Sequence, residues 1–390
     1  MREQIDDAVE KKRAQAVAST GLAGMDASER YDRITRAAQE TFGVMIAVVN
    51  LVDDEAIETI SPQPDGHKWI SPFGTAFCEY TVRQDHILMV PDTAEDDRFR
   101  DRSAVVENGI RFYAGIPLSL EDDTAVGTLC LLDTAPRTLD GSEEDRLRAF
   151  GGWAQQALRD STDRTAHTID VSRATLDAFR VRDLQIHSLD LPWGDTSGDF
   201  HTHATGETLV NASLGDVMGK GAHAGRLGSL LAAGLADVDA SPRMSLTRAQ
   251  SAVHDTLDSE DAFVTVFHAV IDADADTVRF VDAGHGLSVL VRRDGQVLRL
   301  HSSDLPIGLQ DVGAGWDELA VGLAVGDTLV SVSDGVLDLY DGTLAGLDAL
   351  AADLRESVDV PRFLDRIVSR STEEPPSDDV TVLVVSRVAE

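Results

Sequence analysis

The chain is short of cysteine, lysine and long apolar runs, and each shortage removes a class of function. Its 390 residues include 2 cysteines, Cys78 and Cys130. Two thiols make no disulfide framework and cannot build a thiolate zinc site. Both sit in apolar stretches and read as small core residues. Lysine stands only at Lys11, Lys12, Lys68 and Lys220, and the other cations are arginines. Against 34 basic residues stand 68 acidic ones, for a formal net charge of −34. A surface of that sign repels phosphate backbones and anionic headgroups, which argues against nucleic acid and membrane surfaces as partners. No apolar run is long enough to span a bilayer. The opening MREQIDDAVEKKRAQ lacks the apolar core of a signal peptide, so a cytoplasmic location is the expectation.

What is present fits two domains, each able to bury a core. Residues 1–25 are polar and read as helix. Glu29–Phe42 places Tyr31, Ile34, Ala38 and Phe42 at helical spacing. Val44–Asp53 reads as a buried strand, Phe73–Val82 as a helix and His86–Asp92 as a short strand. Ile110–Leu120 and Ala125–Asp133 read as paired strands joined by the acidic turn Glu121-Asp122-Asp123. Ser142 with Asp145 suggests a capping box for a helix running past Leu158. The polar stretch 161–180 reads as a helical linker, with a heptad pattern too weak to define a coiled coil.

Beyond it strands dominate. Glu207–Val217, Asp261–Asp272, Asp276–His285, Leu287–His301, Asp327–Val336 and Asp378–Arg387 are candidates, and Asp294-Gly295 is a strong hairpin signal. Helical segments at Ala222–Ala236, Ser245–Leu257 and Pro361–Ser369 interleave. The pattern predicts an α+β chain whose second half packs sheet on sheet with flanking helices.

Four aspartates stand where apolar strands give way to loops: Asp199 in SGDF, Asp216 in LGDVMGKG, Asp334 in SVSDGV and Asp379 in SDDVTVLVV. Carboxylates avoid such places unless paired or metal-bound. No matching set of cations surrounds them, so the group reads as a hard-cation site suited to magnesium or manganese. Gly215, Gly219 and Gly221 bracket Asp216 and permit a tight turn or a close backbone approach.

These motifs resemble the SpoIIE-type branch of the PPM (PP2C-like) serine/threonine phosphatases. SGDF (Ser197–Phe200), GDVMGKG (Gly215–Gly221), FVTVF (Phe263–Phe267) and DAGH (Asp282–His285) stand in family order. LPIGL (Leu305–Leu309), GDTLVSVSDG (Gly326–Gly335) and DDVTV (Asp378–Val382) continue it, over residues 181–390. The resemblance implies an αββα sandwich with two Mn2+ or Mg2+ ions at one end of the sheets. Asp216 would bridge the two metals and the Val217 carbonyl would bind one. Asp334 and Asp379 would hold the other, and Asp199 would support the site, which makes Asp199 and Asp216 the catalytic candidates. It also implies a phosphoprotein substrate, a STAS-type anti-sigma-factor antagonist in partner-switching control. Three departures occur: Ser197 replaces the first glycine of GGD, His201-Thr202 replaces Tyr-Asp, and Leu184-Gln185 and Leu191-Pro192 are fragments of the preceding motif. His285 has two readings, holding its loop through the backbone or contacting phosphate. His201, His203 and His223 read as structural or exposed.

The first half resembles a GAF domain over residues 25–160, through FCEYTVRQDHILMVPDTAEDDRFRD, GIRFYAGIPL and GTLCLLD. The resemblance implies an antiparallel sheet with flanking helices, an unknown small ligand and homodimerisation. The context of Cys78 is not that of a bilin attachment site, so no chromophore is expected. Asp92, Asp97, Arg98 and Phe99 are read as fixing a loop. The alternative for the whole chain is a catalytically silent, GAF-controlled scaffold that binds a regulatory protein. Loss of a metal aspartate would favour it, and none is missing. A cyclic-nucleotide or redox sensor with an inert C-terminal half is a third reading.

Overall fold

The chain falls into two compact units, Met1–Thr165 and Ala166–Glu390. The computed structural model describes residues 2–22, 29–63, 69–120, 124–162, 169–194, 196–219, 221–238, 241–259, 262–302, 304–310, 313 and 315–389. The expected acidic turn 121–123 therefore lies outside the described residues. No helix among them is long and apolar enough to cross a membrane.

In the first unit α1 (Arg2–Thr20) and α2 (Glu29–Phe42) precede the meander β1 (Ile46–Val52), β2 (Ala56–Gln63) and β3 (Ile70–Pro72). Next come α3 (Cys78–Thr81), β4 (Leu88–Val90), α4 (Ser103–Val106), β5 (Phe112–Ser119), β6 (Ala125–Asp133) and α5 (Gly141–Thr162). Among the described residues the strands form an antiparallel sheet ordered β3-β2-β1-β6-β5-β4. Strand β1 is buried on both faces. Val48 and Val52 join the cluster around Phe77, Cys78, Tyr113 and Cys130. Ala47, Val49 and Leu51 alternate to the opposite face, where α2 and α5 pack. Tyr31, Ile34, Ala38 and Phe42 of α2 are buried as their spacing requires. Phe42 meets Phe150 of α5 at 5.9 Å, and the Tyr31 hydroxyl donates to Ala157 O at 3.0 Å. The loop after β4 is fixed by Asp92–Arg111, Asp97–Arg100 and Asp96–Arg98 pairs. Phe99 anchors it, fully buried between Phe77 and Tyr80.

The second unit begins with a 3-10 turn at Val171–Arg173 and the hairpin β7 (Thr175–Val181) and β8 (Leu184–Leu191). Then follow β9 (Asp199–Thr205), β10 (Leu209–Val217), α6 (Ala222–Leu235), α7 (Pro242–Ser259), β11 (Val264–Asp272), β12 (Thr277–Ala283), β13 (Ser288–Val291) and β14 (Val297–Arg299). The chain closes with β15 (Leu319–Gly322), β16 (Thr328–Val332), α8 (Asp334–Leu337), α9 (Gly346–Glu356), α10 (Val360–Glu373) and β17 (Val380–Arg387). Two sheets result among the described residues, ordered β15-β12-β11-β10-β9 and β14-β13-β16-β17-β8-β7. Three apolar layers make them an αββα sandwich. Val210, Ala212 and Leu214 of β10 meet Leu383 and Val385 of β17 between the sheets. Val264 and Val266 of β11 pack outward on Leu227 and Leu231 of α6 and Val253 of α7. Val380, Val382 and Val384 pack on Leu350 of α9 and Phe363 of α10. A strand covered on both faces needs apolar residues at both parities, and the sequence of β17, VTVLVVSR, has them.

Several expectations are corrected. Residues 175–180 of the expected linker, with Val181, form the edge strand β7, paired with β8 from Thr175↔Asp190 to Val181↔Leu184. Most of its side chains are exposed, so its composition mimics a solvated helix. Its turn uses Arg182 at φ 55°, not a glycine, which hides the hairpin signal. The helix expected over Phe73–Val82 shrinks to α3, because Gly74 at φ 95° breaks the path. Helix α5 starts on Asp140 and Glu143, not Ser142 and Asp145. The Asp140 N–H donates to Glu143 Oε2 at 2.9 Å and the Glu143 N–H to Asp140 Oδ1 at 2.8 Å. Strands β2, β3, β8, β9 and β15 and helix α9 were not apparent from the pattern.

Candidate metal centre

Antiparallel pairing sets Asp199, the first residue of β9, directly opposite Asp216 near the end of β10. Like charges directly opposite each other destabilise a sheet unless something neutralises them. The local sequence holds the pair in place. A Cβ on Gly215 would lie 2.5 Å from the Phe200 ring and 2.9 Å from Thr265 O, so the aromatic residue of SGDF lies over the first glycine of GDVMGKG. A Cβ on Gly198 would lie 3.0 Å from Gly219 O and 3.1 Å from Val217 O. Two glycines thus let the segment before β9 press against the turn after β10, and Val217 N–H donates to Gly198 O at 3.2 Å. Gly219 and Gly221 take φ of 88° and 84°, as a tight turn beside Asp216 requires.

The other two aspartates arrive from the second sheet. Asp334 opens α8 after β16, and Asp379 immediately precedes β17. Ser333 joins them: its hydroxyl donates to Asp379 O at 3.0 Å and accepts the Thr381 N–H at 2.9 Å. Gly335 lets α8 touch the Asp378–Asp379 backbone. Asp379 is 6% exposed, and its two carboxylate oxygens accept the Trp193 N–H at 2.7 Å and the Gly198 N–H at 2.9 Å. It therefore ties β17 to the loop that delivers Asp199. Its neighbour Asp378 is half-buried.

Asp199 reports the field of the cluster. Burial pushes its carboxyl well above the usual carboxylate range, and the charges of Asp216, Asp379, Asp378 and Asp334 push it further. Its Oδ2 is buried with no hydrogen-bond donor. An orphaned carboxylate oxygen beside four further aspartates suits a hard divalent cation and little else. The side chains as placed do not yet enclose an ion: no three carboxylate, imidazole or thiolate groups among the described residues converge on one point. Asp378 is the functional candidate that motif reading passed over. Its signal is the Asp-Asp doublet itself, in which Asp379 is held by the distant Trp193 and Gly198 N–H groups while Asp378 Oδ1 accepts the adjacent Asp379 N–H at 2.9 Å.

The histidines lie apart from this chemistry. His285 is 1% exposed, and its Nε2 bonds the Ser331 hydroxyl at 3.1 Å, so its side chain fastens the DAGH turn to β16. Asp282 in the same turn accepts the His285 and Gly286 N–H groups at 2.7 and 3.0 Å. His201 pairs with Asp190 at 2.9 Å and His203 stacks on Phe179 at 3.9 Å.

Residues 206–388 match the family described as Stage II sporulation protein E (SpoIIE), and residues 26–158 match the GAF domain family. A curated relative, a cyclic di-GMP phosphodiesterase of Pseudomonas aeruginosa, is 30% identical over 139 residues, covering 33% of this chain and 22% of the relative. The chain thus spans about a fifth of that relative's length. Among solved structures, RsbX in complex with magnesium aligns at a TM-score of 0.45 and 13% identity, over 54% of this chain and 98% of that one. The phosphatase domain with a regulatory fragment of SpoIIE from Bacillus subtilis aligns at 0.43 and 16%, over 93% of this chain and 87% of that one.

Proposed function

From a chain that carries an N-terminal GAF domain and a C-terminal SpoIIE-type, PP2C-like phosphatase domain, we propose a metal-dependent phosphoserine/phosphothreonine protein phosphatase regulated by its GAF domain. The observation that carries this reading is the half-buried Asp199–Asp216 pair, with a buried, orphaned Asp199 oxygen and with Asp334 and Asp378–Asp379 brought to it from the other sheet. Asp216, the Val217 carbonyl and Asp334 are the residues that would hold two Mn2+ or Mg2+ ions, with Asp199 supporting them. Of the doublet, half-buried Asp378 would face the ions, its Oδ1 held by the adjacent Asp379 N–H at 2.9 Å. Asp379, both of whose oxygens already accept backbone N–H groups, would hold the frame. Divalent cations at such a centre supply a nucleophilic water at neutral pH and neutralise the phosphate. The protein's own part is to keep the carboxylates fixed on two sheets, so that a phosphorylated side chain meets a preformed site. Family resemblance supports a phosphorylated STAS-type anti-sigma-factor antagonist as substrate. With a net charge of −34 the chain repels acidic phosphoproteins at long range, so recognition falls to short-range contacts.

The test is hydrolysis of p-nitrophenyl phosphate and of a phosphoserine peptide with manganese. Asp216→Asn is expected to abolish metal-dependent turnover while keeping the fold. Asp378→Asn is expected to raise the manganese requirement. Asp379→Asn, which places an amide donor against a backbone N–H, is expected to lose stability as well. Wild-type turnover in Asp216→Asn would end this reading.

A further inference from the structure

The chain's only two cysteines stand 52 positions apart, yet their sulfurs lie 3.6 Å from each other. Cys78 opens α3 and Cys130 lies in β6, and both line a cavity of about 370 Å³ in the first unit. Its walls include Val48, Ile57, Phe77 and Ile110, and half-exposed Trp69 stands at its rim. The sulfurs are embedded in polar groups that a purely structural core pair would not need. Asn50 is turned by the Thr59 hydroxyl, which donates to its Oδ1 at 2.8 Å. That leaves its NH2 facing Cys78 at 3.3 Å and Cys130 at 3.7 Å. The Tyr113 hydroxyl lies 3.3 Å from Cys130, and Cys130 donates to Thr128 at 3.0 Å.

We propose that Cys78 and Cys130 form a reversible dithiol–disulfide pair in the cavity of the GAF domain, oxidised by small hydroperoxides. The two sulfurs divide the chemistry unequally. Turned from Thr128 toward Cys78, the Cys130 S–H stabilises a Cys78 thiolate and lowers that thiol below the ordinary cysteine value, while burial pushes Cys130 well up. Cys78 is therefore the attacking thiolate. It attacks one oxygen of hydrogen peroxide; the O–O bond breaks, leaving a Cys78 sulfenic acid, and the departing hydroxide takes a proton to become water. Cys130 sulfur then attacks Cys78 sulfur; the S–O bond breaks, and the hydroxyl leaves with the Cys130 proton as a second water. Two thiols lose two electrons, and one peroxide becomes two waters. A dithiol reductant returns the pair to thiols by exchange. Closing the bond draws the sulfurs together by roughly 1.5 Å. That movement pulls α3 toward β6 and removes the S–H that Cys130 donates to Thr128, so the shape of the cavity follows its redox state.

The experiment uses the full chain and does not depend on phosphatase activity. Native protein is treated with hydrogen peroxide, quenched in acid, unfolded and labelled with N-ethylmaleimide before intact mass measurement. The expected product has lost two hydrogens, takes no label, runs as a single chain without reductant and recovers both thiols with dithiothreitol. Cys130→Ser is expected to stop at a sulfenic acid that dimedone captures, forming at least ~10-fold faster than in Cys78→Ser. The proposal is overturned if both thiols still label after treatment. It is equally overturned if one sulfur oxidises to a sulfinic acid beside an intact thiol, or if the disulfide forms between chains.

Discussion

Gly335→Ala tests how the proposed metal centre is assembled, because it perturbs the frame without touching a carboxylate. A Cβ on Gly335 would lie 2.2 Å from Asp379 O and 3.0 Å from Asp378 O. Carbon and oxygen in contact stand about 3.3 Å apart, so α8 or the start of β17 must shift by roughly 1 Å. Gly335 is not among the positive-φ residues, so close approach alone demands the glycine. Neither side can yield freely. Ser333 bonds Asp379 O and the Thr381 N–H at 3.0 and 2.9 Å, and Asp379 is tied to Trp193 and Gly198. Overpacking costs about 1–3 kcal/mol, and each strained hydrogen bond adds about 1 kcal/mol, giving an expected loss of ~2–4 kcal/mol. A shift of ~1 Å between Asp334 and the Asp378–Asp379 pair is expected to lower turnover by about 10²-fold. Urea unfolding followed by tryptophan fluorescence reads the first quantity, and manganese-dependent hydrolysis of p-nitrophenyl phosphate reads the second. Gly194→Ala is the control, since a Cβ there meets nothing within 4 Å. Wild-type stability and turnover in Gly335→Ala would refute the close packing of α8 on β17.

Asp282 gives the second unit a pH dependence of known sign. Burial pushes its carboxyl up to about 7, against the lowering effect of the Gly286 and His285 N–H groups. A folded pKa above the unfolded one contributes stability that is complete in acid and lost as the pH rises through about 7. Asp282→Asn keeps an oxygen acceptor for both N–H groups and cannot ionise. From pH 5 to pH 8 the variant is expected to gain ~1–3 kcal/mol of unfolding free energy relative to wild type in urea titrations; a variant that loses ground to wild type over that range would show that the ionised carboxylate holds the turn. The proposed GAF-mediated homodimer is expected to scatter light at micromolar concentration with twice the mass of one chain, and a monomer would remove it.

The longest strands that the sequence announced in the second unit are covered on both faces. Strands β10, β11 and β17 carry apolar residues at both parities because helices lie on one side of them and the other sheet on the other. Two edges were silent: β7 and β15 bury little, so their composition follows the solvent and not the fold, whereas the edges β4 and β14 were announced by a short apolar run and by Asp294-Gly295. The same division runs through the metal centre. The aspartates were legible because each breaks an apolar pattern that has no cation to excuse it. Their division of labour was not. Asp378 and Asp379 are chemically identical neighbours, and what separates them is supplied by the N–H groups of Trp193 and Gly198, 186 and 181 positions away. Gly335 shows the same limit, since Asp-Gly reads locally as a turn while its glycine answers to a carbonyl on another strand. A carboxylate whose oxygens are already bonded to backbone is held where it stands. It can therefore keep its partner aimed at the cations that the partner would bind. Under the proposed function the doublet would then act as a unit, and replacing either aspartate would test a different property: metal affinity for Asp378, stability for Asp379.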